Sequence, residues 1–182
     1  MKVAFLDRDG VINREVNYLH RIKDFEYAPN FIEGIKLLKE LKFEIIVVTN
    51  QAGIAKGYYT ENQYSELTSW YLDDLKKQGI EILDVFHCPH HVDAVVDKYK
   101  KACDCRKPAT GMFQRAISKY PIDIENSILV GDKDSDIGFG KNSGIKDKHL
   151  FLVSTGHEII NQHKTKVFDD LLEVAKYIKE KL

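Results

Sequence analysis

Two carboxylates separated by one residue follow the first apolar run of the chain. Asp7-Arg8-Asp9-Gly10 comes directly after Val3-Ala4-Phe5-Leu6, and in an extended chain side chains i and i+2 point to the same side. Two adjacent carboxylates repel each other, so they favour a bound cation. Asp132 and Asp136, after a later apolar run, offer further oxygen ligands of the kind that Mg²⁺ prefers. For each aspartate taken alone, the alternative is a turn or helix N-cap residue.

A second group of potential ligands lies in a loop at about residues 87–110. Cys88-x-His90, twelve intervening residues and then Cys103-x-Cys105 provide four ligands that suit tetrahedral Zn²⁺. His91 could replace His90 on spacing, and His87 is a weaker candidate. The alternative is three thiols in a reducing compartment and a surface histidine. Structural zinc is favoured because a polar loop cannot be held by core burial, whereas a metal can close it.

Apolar runs typical of buried strands alternate with segments of helical period. The runs after the first are Ile45–Val48, Ile82–Phe86, Ser127–Val130 and Leu150–Val153. This alternation predicts an α/β fold, with a Rossmann-like parallel sheet and helices on both faces. In such folds ligands bind beyond the carboxyl ends of the strands, where Asp7, Thr49 and Asp132 lie.

Several residues mark where the predicted helices begin and end. Asn30 is a candidate N-cap, Thr60 and Gln63 form a capping-box pattern, and Gly79 can supply a left-handed C-cap. The last helix is predicted from about Asp169 to Lys181.

The composition limits the classes of partner. The 182 residues carry 27 Lys and Arg against 28 Asp and Glu, so a net charge of -1 gives no general reason to expect a nucleic-acid or membrane partner. With 43% hydrophobic residues the chain can form a core. We therefore expect one domain over residues 1–182, acting as a cytoplasmic monomer on a small molecule.

Four ordered motifs resemble the haloacid dehalogenase superfamily of aspartate-nucleophile phosphatases. They are Phe5-Leu6-Asp7-Arg8-Asp9-Gly10, Val48-Thr49-Asn50-Gln51, Arg106-Lys107-Pro108 and Gly131-Asp132-Lys133-Asp134-Ser135-Asp136. The resemblance implies that Asp7 attacks phosphorus, Asp9 acts as general acid and then base, Thr49 holds the phosphoryl group and Lys107 offsets its charge. It also implies Mg²⁺ at Asp7, Asp9 and Asp132, with Asp136 in support. No long insertion separates the first two motifs, so no large cap domain is expected.

The zinc loop is similar to that of two branches of this superfamily, the heptose bisphosphate phosphatases and the histidinol-phosphatases. Cys-Pro-His-His, the spacer and Cys-Asp-Cys-Arg-Lys-Pro are closer to the first branch. That resemblance implies hydrolysis of the C7 phosphate of a heptose 1,7-bisphosphate, in the synthesis of nucleotide-activated heptose for lipopolysaccharide or other surface glycans. The implied substrate contacts are Arg8, Glu15, Val16, Asn17, Tyr18, Asn50, Gln51, Ala52, Arg106 and Lys133.

Three alternatives stay open at this point. A histidinol-phosphatase would share the mechanism and the zinc loop. A phosphosugar mutase would need water to be excluded, for which no cap is evident. A binding module without turnover is disfavoured by the complete set Asp7, Asp9, Lys107 and Asp132.

Overall fold

The strands form where the sequence has short apolar runs. The structure, a computed structural model, describes residues 1–181, and these form six strands: β1 (Val3–Leu6), β2 (Glu44–Asn50), β3 (Asp84–Cys88), β4 (Ile128–Gly131), β5 (Leu150–Val153) and β6 (Lys166–Phe168). All pairings are parallel, in the order β3-β2-β1-β4-β5-β6. The predicted α/β fold with a parallel sheet is confirmed.

Helices connect the strands and cover the sheet. They are α1 (Phe31–Glu40), α2 (Ala52–Ala55), α3 (Glu61–Lys77), α4 (Gly111–Lys119), α5 (Asp134–Asn142) and α6 (Leu171–Lys181). The capping box of α3 forms as predicted, since Thr60 Oγ1 accepts from Gln63 N at 3.2 Å and Gln63 Oε1 accepts from Thr60 N at 2.9 Å. Gly79, with φ of 77°, follows the end of this helix in the left-handed conformation.

Two apolar layers bury both faces of the sheet. Successive residues of β1 alternate between them: Ala4 and Leu6 pack in the layer that includes α1 and α6, whereas Val3 and Phe5 pack in the layer that includes α4 and α5. All four residues of β1 are fully buried. Continuous apolar runs are therefore required in the central strands.

The strand order places β1 at the point where the chain changes direction across the sheet. β2 and β3 lie on one side of β1, and β4, β5 and β6 lie on the other. The connections after β1 and β4 therefore diverge at their carboxyl ends and leave a crevice. Asp7, directly after β1, lies in the middle of that crevice.

Three local predictions need correction. The third strand begins two residues later than expected, at Asp84, and the last helix begins at Leu171. Asn30 precedes α1 but makes no capping bond, because its side chain donates to Asp170 Oδ2 at 2.6 Å instead.

Over the part of the chain described, no helix combines the length and apolar character needed to span a membrane.

Candidate active site

A buried lysine joins two carboxylates at the carboxyl edge of the sheet. Lys107 Nζ lies 2.9 Å from Asp7 Oδ1 and 2.6 Å from Asp136 Oδ1, and donates to the carbonyl of Val48 at 2.8 Å. Its side chain is only 2% exposed. All four motifs therefore meet around one ammonium group, because Val48 belongs to the second motif.

Burial and neighbouring charges shift the proton affinities of this group. Burial raises the pKa of Asp7 to about 6, with Asp136 and Asp9 adding to the rise and Lys107 opposing it. Burial disfavours the charged form of Lys107, but Asp136 and Asp7 outweigh that effect and leave its pKa above the ordinary value. The cluster therefore carries excess negative charge that one lysine does not fully offset.

Three carboxylates are arranged so that they could share a metal ion. Ligand oxygens of Asp7, Asp132 and Asp136 lie within 4.8 Å of one another, and all three residues are buried. Asp132 Oδ1 is buried and accepts no hydrogen bond from any residue between 1 and 181. Such an orphaned buried acceptor is costly unless a cation or water satisfies it, so the residues fit Mg²⁺.

The Asp9 carboxylate lies outside this group of three carboxylates. Arg8 Nη2 donates to both of its oxygens at 2.8 and 2.9 Å, and Asn13 and Gln51 donate to it at 3.0 and 2.9 Å. Burial raises the pKa of Asp9, but Arg8 and these hydrogen bonds outweigh burial and hold it below its ordinary value. In this arrangement the Asp9 carboxylate faces its hydrogen-bond donors and not the other three carboxylates, and its coordination of Mg²⁺ stays a prediction.

The second motif forms a hydrogen-bond network beside Asp9 and Lys107. Gln51 Nε2 donates to Thr49 Oγ1 at 2.8 Å, and both residues are 1% exposed. Asn50 accepts from Lys107 N at 2.9 Å and donates to Lys107 O at 3.2 Å. The Asn50 side chain therefore fixes the backbone of the third motif.

A cavity of about 260 Å³ opens directly in front of this cluster. Of the expected substrate-contact residues, it is lined by Glu15, Asn17, Tyr18, Asn50, Gln51, Ala52, Arg106 and Lys133. Arg8 and Val16 do not line it. The Arg8 side chain is fully buried against Asp9 and the carbonyl of Leu19, and Val16 is 48% exposed. Their predicted contact with substrate is not supported by this geometry.

Sequence reasoning missed His157, which orients a candidate metal ligand. His157 donates from its backbone N and its Nδ1 to Asp132 Oδ2, at 2.9 and 2.6 Å. A Cβ at Gly156 would lie 2.1 Å from the same oxygen, so only glycine permits this approach. The signal was weak, because these residues come three and four positions after the end of β5, whereas Asp7 directly follows β1. Lys56 and Tyr59, which also line the cavity, were likewise not predicted.

The predicted zinc ligands form a second cluster beside the site. Ligand atoms of Cys88, His90, Cys103 and Cys105 lie within 4.8 Å of one another. The sulfur separations are 2.8 to 3.5 Å, and His90 Nδ1 lies 3.2 Å from Cys105 Sγ. A Zn²⁺ tetrahedron with sulfur ligands has edges of about 3.8 Å, so the sulfurs lie closer together here than around a bound zinc ion. The donor set and its clustering fit zinc.

The two other histidines named for this site have different surroundings. His91 lines the cavity, and the ring of His87 lies 4.3 Å from that of Tyr64. His90 is therefore the histidine that the fold brings to the three thiols. Arg106 and Lys107 directly follow Cys105, so the cluster fixes the start of the third motif.

The comparisons with known proteins agree with this geometry. A family model described as HAD-hydrolase-like matches residues 104–174. D-glycero-alpha-D-manno-heptose-1,7-bisphosphate 7-phosphatase of Photorhabdus laumondii is 54% identical over 98% of this chain and 97% of the relative. The chain belongs to the heptose-1,7-bisphosphate 7-phosphatase family. It is accordingly a hydrolase of the haloacid dehalogenase superfamily, with a phosphatase fold and phosphatase chemistry.

Other members of this phosphatase family match over nearly their full length. The beta-named enzyme of Photorhabdus laumondii is 38% identical, over 97% of this chain and 94% of the relative. A solved D,D-heptose 1,7-bisphosphate phosphatase from B. bronchiseptica, complexed with magnesium and phosphate, superposes with a TM-score of 0.83 at 26% identity, covering 100% of both chains. The histidinol-phosphatase alternative is not favoured by these relatives.

Proposed function

We propose that this phosphatase removes the C7 phosphate of D-glycero-D-manno-heptose 1,7-bisphosphate and releases heptose 1-phosphate. The observation that carries the proposal is that one cationic side chain pairs with the carboxylate cluster, while three others line the cavity without a carboxylate partner among residues 1–181. Lys107 pairs with Asp7 and Asp136. Lys56, Arg106 and Lys133 line the cavity and form no ion pair within residues 1–181. Three unpaired cations in front of one phosphoryl site suit a second phosphate on the same substrate.

Identity to the relatives supports the α anomer as the preferred substrate. The two Photorhabdus laumondii enzymes differ in the anomer that they are named for, and this chain is 54% identical to the alpha-named and 38% identical to the beta-named one. Beta-named relatives from Pasteurella multocida and Vibrio cholerae are 39% and 38% identical. The chain therefore groups with the α-directed enzyme.

In the first step Asp7 attacks the C7 phosphorus. The bond between Asp7 oxygen and phosphorus forms, and the bond between phosphorus and O7 breaks. Lys107 offsets charge on the nucleophile and the phosphoryl oxygens, while the departing O7 takes a proton from Asp9. Because Arg8 favours the ionised form of Asp9, protonation of Asp9 requires it to give up part of its contact with Arg8.

In the second step Asp9, now ionised, accepts a proton from water. The water oxygen attacks phosphorus, the bond to Asp7 breaks and inorganic phosphate leaves. The hydrogen bonds from Arg8, Asn13 and Gln51 stabilise this ionised form of Asp9. Asp7, Asp132 and Asp136 would hold Mg²⁺, which supplies charge neutralisation and orientation of the phosphoryl oxygens when bound.

The proposal extends to the structural metal and to the state of the protein. Zn²⁺ at Cys88, His90, Cys103 and Cys105 would hold the segment that presents Arg106 and Lys107. We infer a cytoplasmic monomer with one domain over residues 1–182, which supplies heptose 1-phosphate to a nucleotidyl-transfer reaction in surface-glycan synthesis. A sugar phosphate substrate and the near-neutral net charge of -1 support this setting.

Product analysis tests the proposed bond cleavage. The phosphatase is incubated with Mg²⁺ and the heptose bisphosphate, and products are followed by phosphorus NMR. We expect inorganic phosphate and heptose 1-phosphate in equal amounts. Accumulation of heptose 7-phosphate would show that the other phosphate is removed and would overturn the proposal. Bisphosphate incubated without enzyme controls for spontaneous loss of the anomeric phosphate.

A further inference from the structure

A tyrosine outside the four motifs is hydrogen-bonded to the second motif. Tyr59 lies between α2 and α3 and is 4% exposed. Its hydroxyl donates to Gln51 Oε1 at 2.5 Å. Because Gln51 Nε2 donates to Asp9 Oδ2 at 2.9 Å and to Thr49 Oγ1 at 2.8 Å, the amide oxygen is the part of this side chain left for a donor.

The orientation of the Gln51 amide matters for Asp9. A glutamine amide has a donor end and an acceptor end of similar shape, and its surroundings select between two orientations. In the observed orientation the NH₂ group faces the Asp9 carboxylate. In the reversed orientation the amide oxygen would face a carboxylate oxygen, and Asp9 would lose one of its donors. A donor at the other end of the amide, which Tyr59 provides, stabilises the first arrangement.

The aromatic ring of Tyr59 is held so that its hydroxyl has little freedom. It packs directly on the backbone of Gly53, where an added Cβ would lie 2.1 Å from Tyr59 Cε1. The imidazole of His20 stacks on the same ring, with centroids 5.2 Å apart and planes 10° apart. The position of the hydroxyl is therefore set by packing on α2 and on the loop after β1.

We propose that Tyr59 is a positioning residue for phosphoryl transfer, which acts through Gln51 on the Asp9 carboxylate and the Thr49 hydroxyl. The inference rests on the proposed function, because it needs Asp9 to transfer protons. Tyr59 lies outside the four motifs, so the resemblance implies no role for it. The Tyr59 hydroxyl acts through Gln51 on groups that take part in phosphoryl transfer, so we expect its loss to lower kcat more than it changes KM.

The Tyr59→Phe variant removes the hydroxyl and keeps the ring. We expect kcat to fall by roughly tenfold, since general acid–base catalysis depends on the position of the carboxylate, and KM to change less than about twofold. Tyr71→Phe is the matched control, because the Tyr71 hydroxyl is buried without a partner in the described chain. It should leave both constants unchanged. An unchanged kcat in Tyr59→Phe would overturn the inference.

A double-mutant cycle separates positioning through Gln51 from a direct role. In the Gln51→Ala background, Tyr59→Phe should lower kcat by less than about twofold, because the residue through which it acts is gone. The same tenfold loss in both backgrounds, or a rise in KM with constant kcat, would contradict the inference. Gly53→Ala keeps the hydroxyl but displaces the ring, and we expect a similar fall in kcat.

The choice of substrate keeps this test independent of the heptose assignment. All variants are also assayed with phenyl phosphate, whose poor leaving group needs a proton from Asp9 and which makes no use of sugar recognition. If the wild-type protein hydrolyses only this substrate, the proposed function fails while the comparison of Tyr59 variants remains valid. If the heptose is hydrolysed and Tyr59→Phe matches the wild type with both substrates, the inference alone fails.

Discussion

At the residue scale, the charge on Asp7 can be removed with little change of shape. In Asp7→Asn we expect turnover to fall by about four orders of magnitude or more, because an amide cannot form the covalent intermediate. Lys107 keeps its contacts with Asp136 and Val48, so thermal stability should be retained. The assay is phosphate release over many turnovers. Asp24→Asn, at an exposed ion pair with Arg21, controls for loss of a carboxylate and should be fully active.

The raised proton affinity of Asp7 predicts pH-dependent magnesium binding. Its pKa of about 6 means that the metal-free protein holds a proton on Asp7 at pH 5 and has largely lost it at pH 7. Mg²⁺ must displace that proton, so affinity should be roughly tenfold weaker at pH 5 than at pH 7. Titration calorimetry at the two values measures this. Equal affinities would contradict the assigned role of Asp7 as a ligand.

The carboxylates Asp7 and Asp9 illustrate what a motif leaves undetermined. The spacing placed both at the end of β1, and the structure confirms that position. The direction of each carboxylate depends on distant residues, since Gln51 and Asn13 donate to Asp9 whereas Lys107 reaches Asp7. Such contacts across the fold have no local signature, which is why the metal ligation expected of Asp9 could not be judged from the sequence.

At the element scale, the loop that carries the cysteines is largely exposed between His91 and Ala102, where only Ala94 and Tyr99 are buried. In Cys103→Ser we expect bound zinc to fall from one equivalent to near zero, KM for the bisphosphate to rise, and Tm to drop by about 5 °C or more. KM should rise because the loop leads directly into Arg106 and Lys107, which lie at the cavity. Metal analysis, calorimetry and steady-state kinetics measure the three effects.

The matched control for this loop is His87→Asn. His87 packs against Tyr64 and is not among the clustered ligands, so the variant should keep its zinc. Loss of zinc from His87→Asn, or unchanged kinetics in a zinc-free Cys103→Ser protein, would contradict the account of the loop.

The elements that the sequence predicts well are those with a strong local signal. β1 and β5 coincide with their apolar runs, and α3 begins at its capping box. β6 was not predicted because it is three residues long at the sheet edge, with Lys166 and Val167 exposed. An edge strand of this kind is specified by its pairing with β5 and not by its own pattern.

At the scale of the whole molecule, the strand order explains why the site forms where it does. The central strand β1 has β2 on one side and β4 on the other, so Asp7 meets the second and fourth motifs. The third motif comes from the connection that the zinc cluster holds. The positions of Asp7, Thr49 and Asp132 could be predicted from the sequence, because ligands bind beyond the carboxyl ends of parallel strands. The sequence could not predict Tyr59 or Lys56, which reach the cavity from the turn after α2 and follow no apolar run.

The most direct test of the account compares substrates under one condition. Phosphate release with Mg²⁺ is measured for the separate α and β anomers of D-glycero-D-manno-heptose 1,7-bisphosphate, with histidinol phosphate in parallel. We predict a kcat/KM for the α anomer at least about tenfold above that for the β anomer, and higher still relative to histidinol phosphate. Preference for histidinol phosphate, or no release from either heptose, would contradict the account.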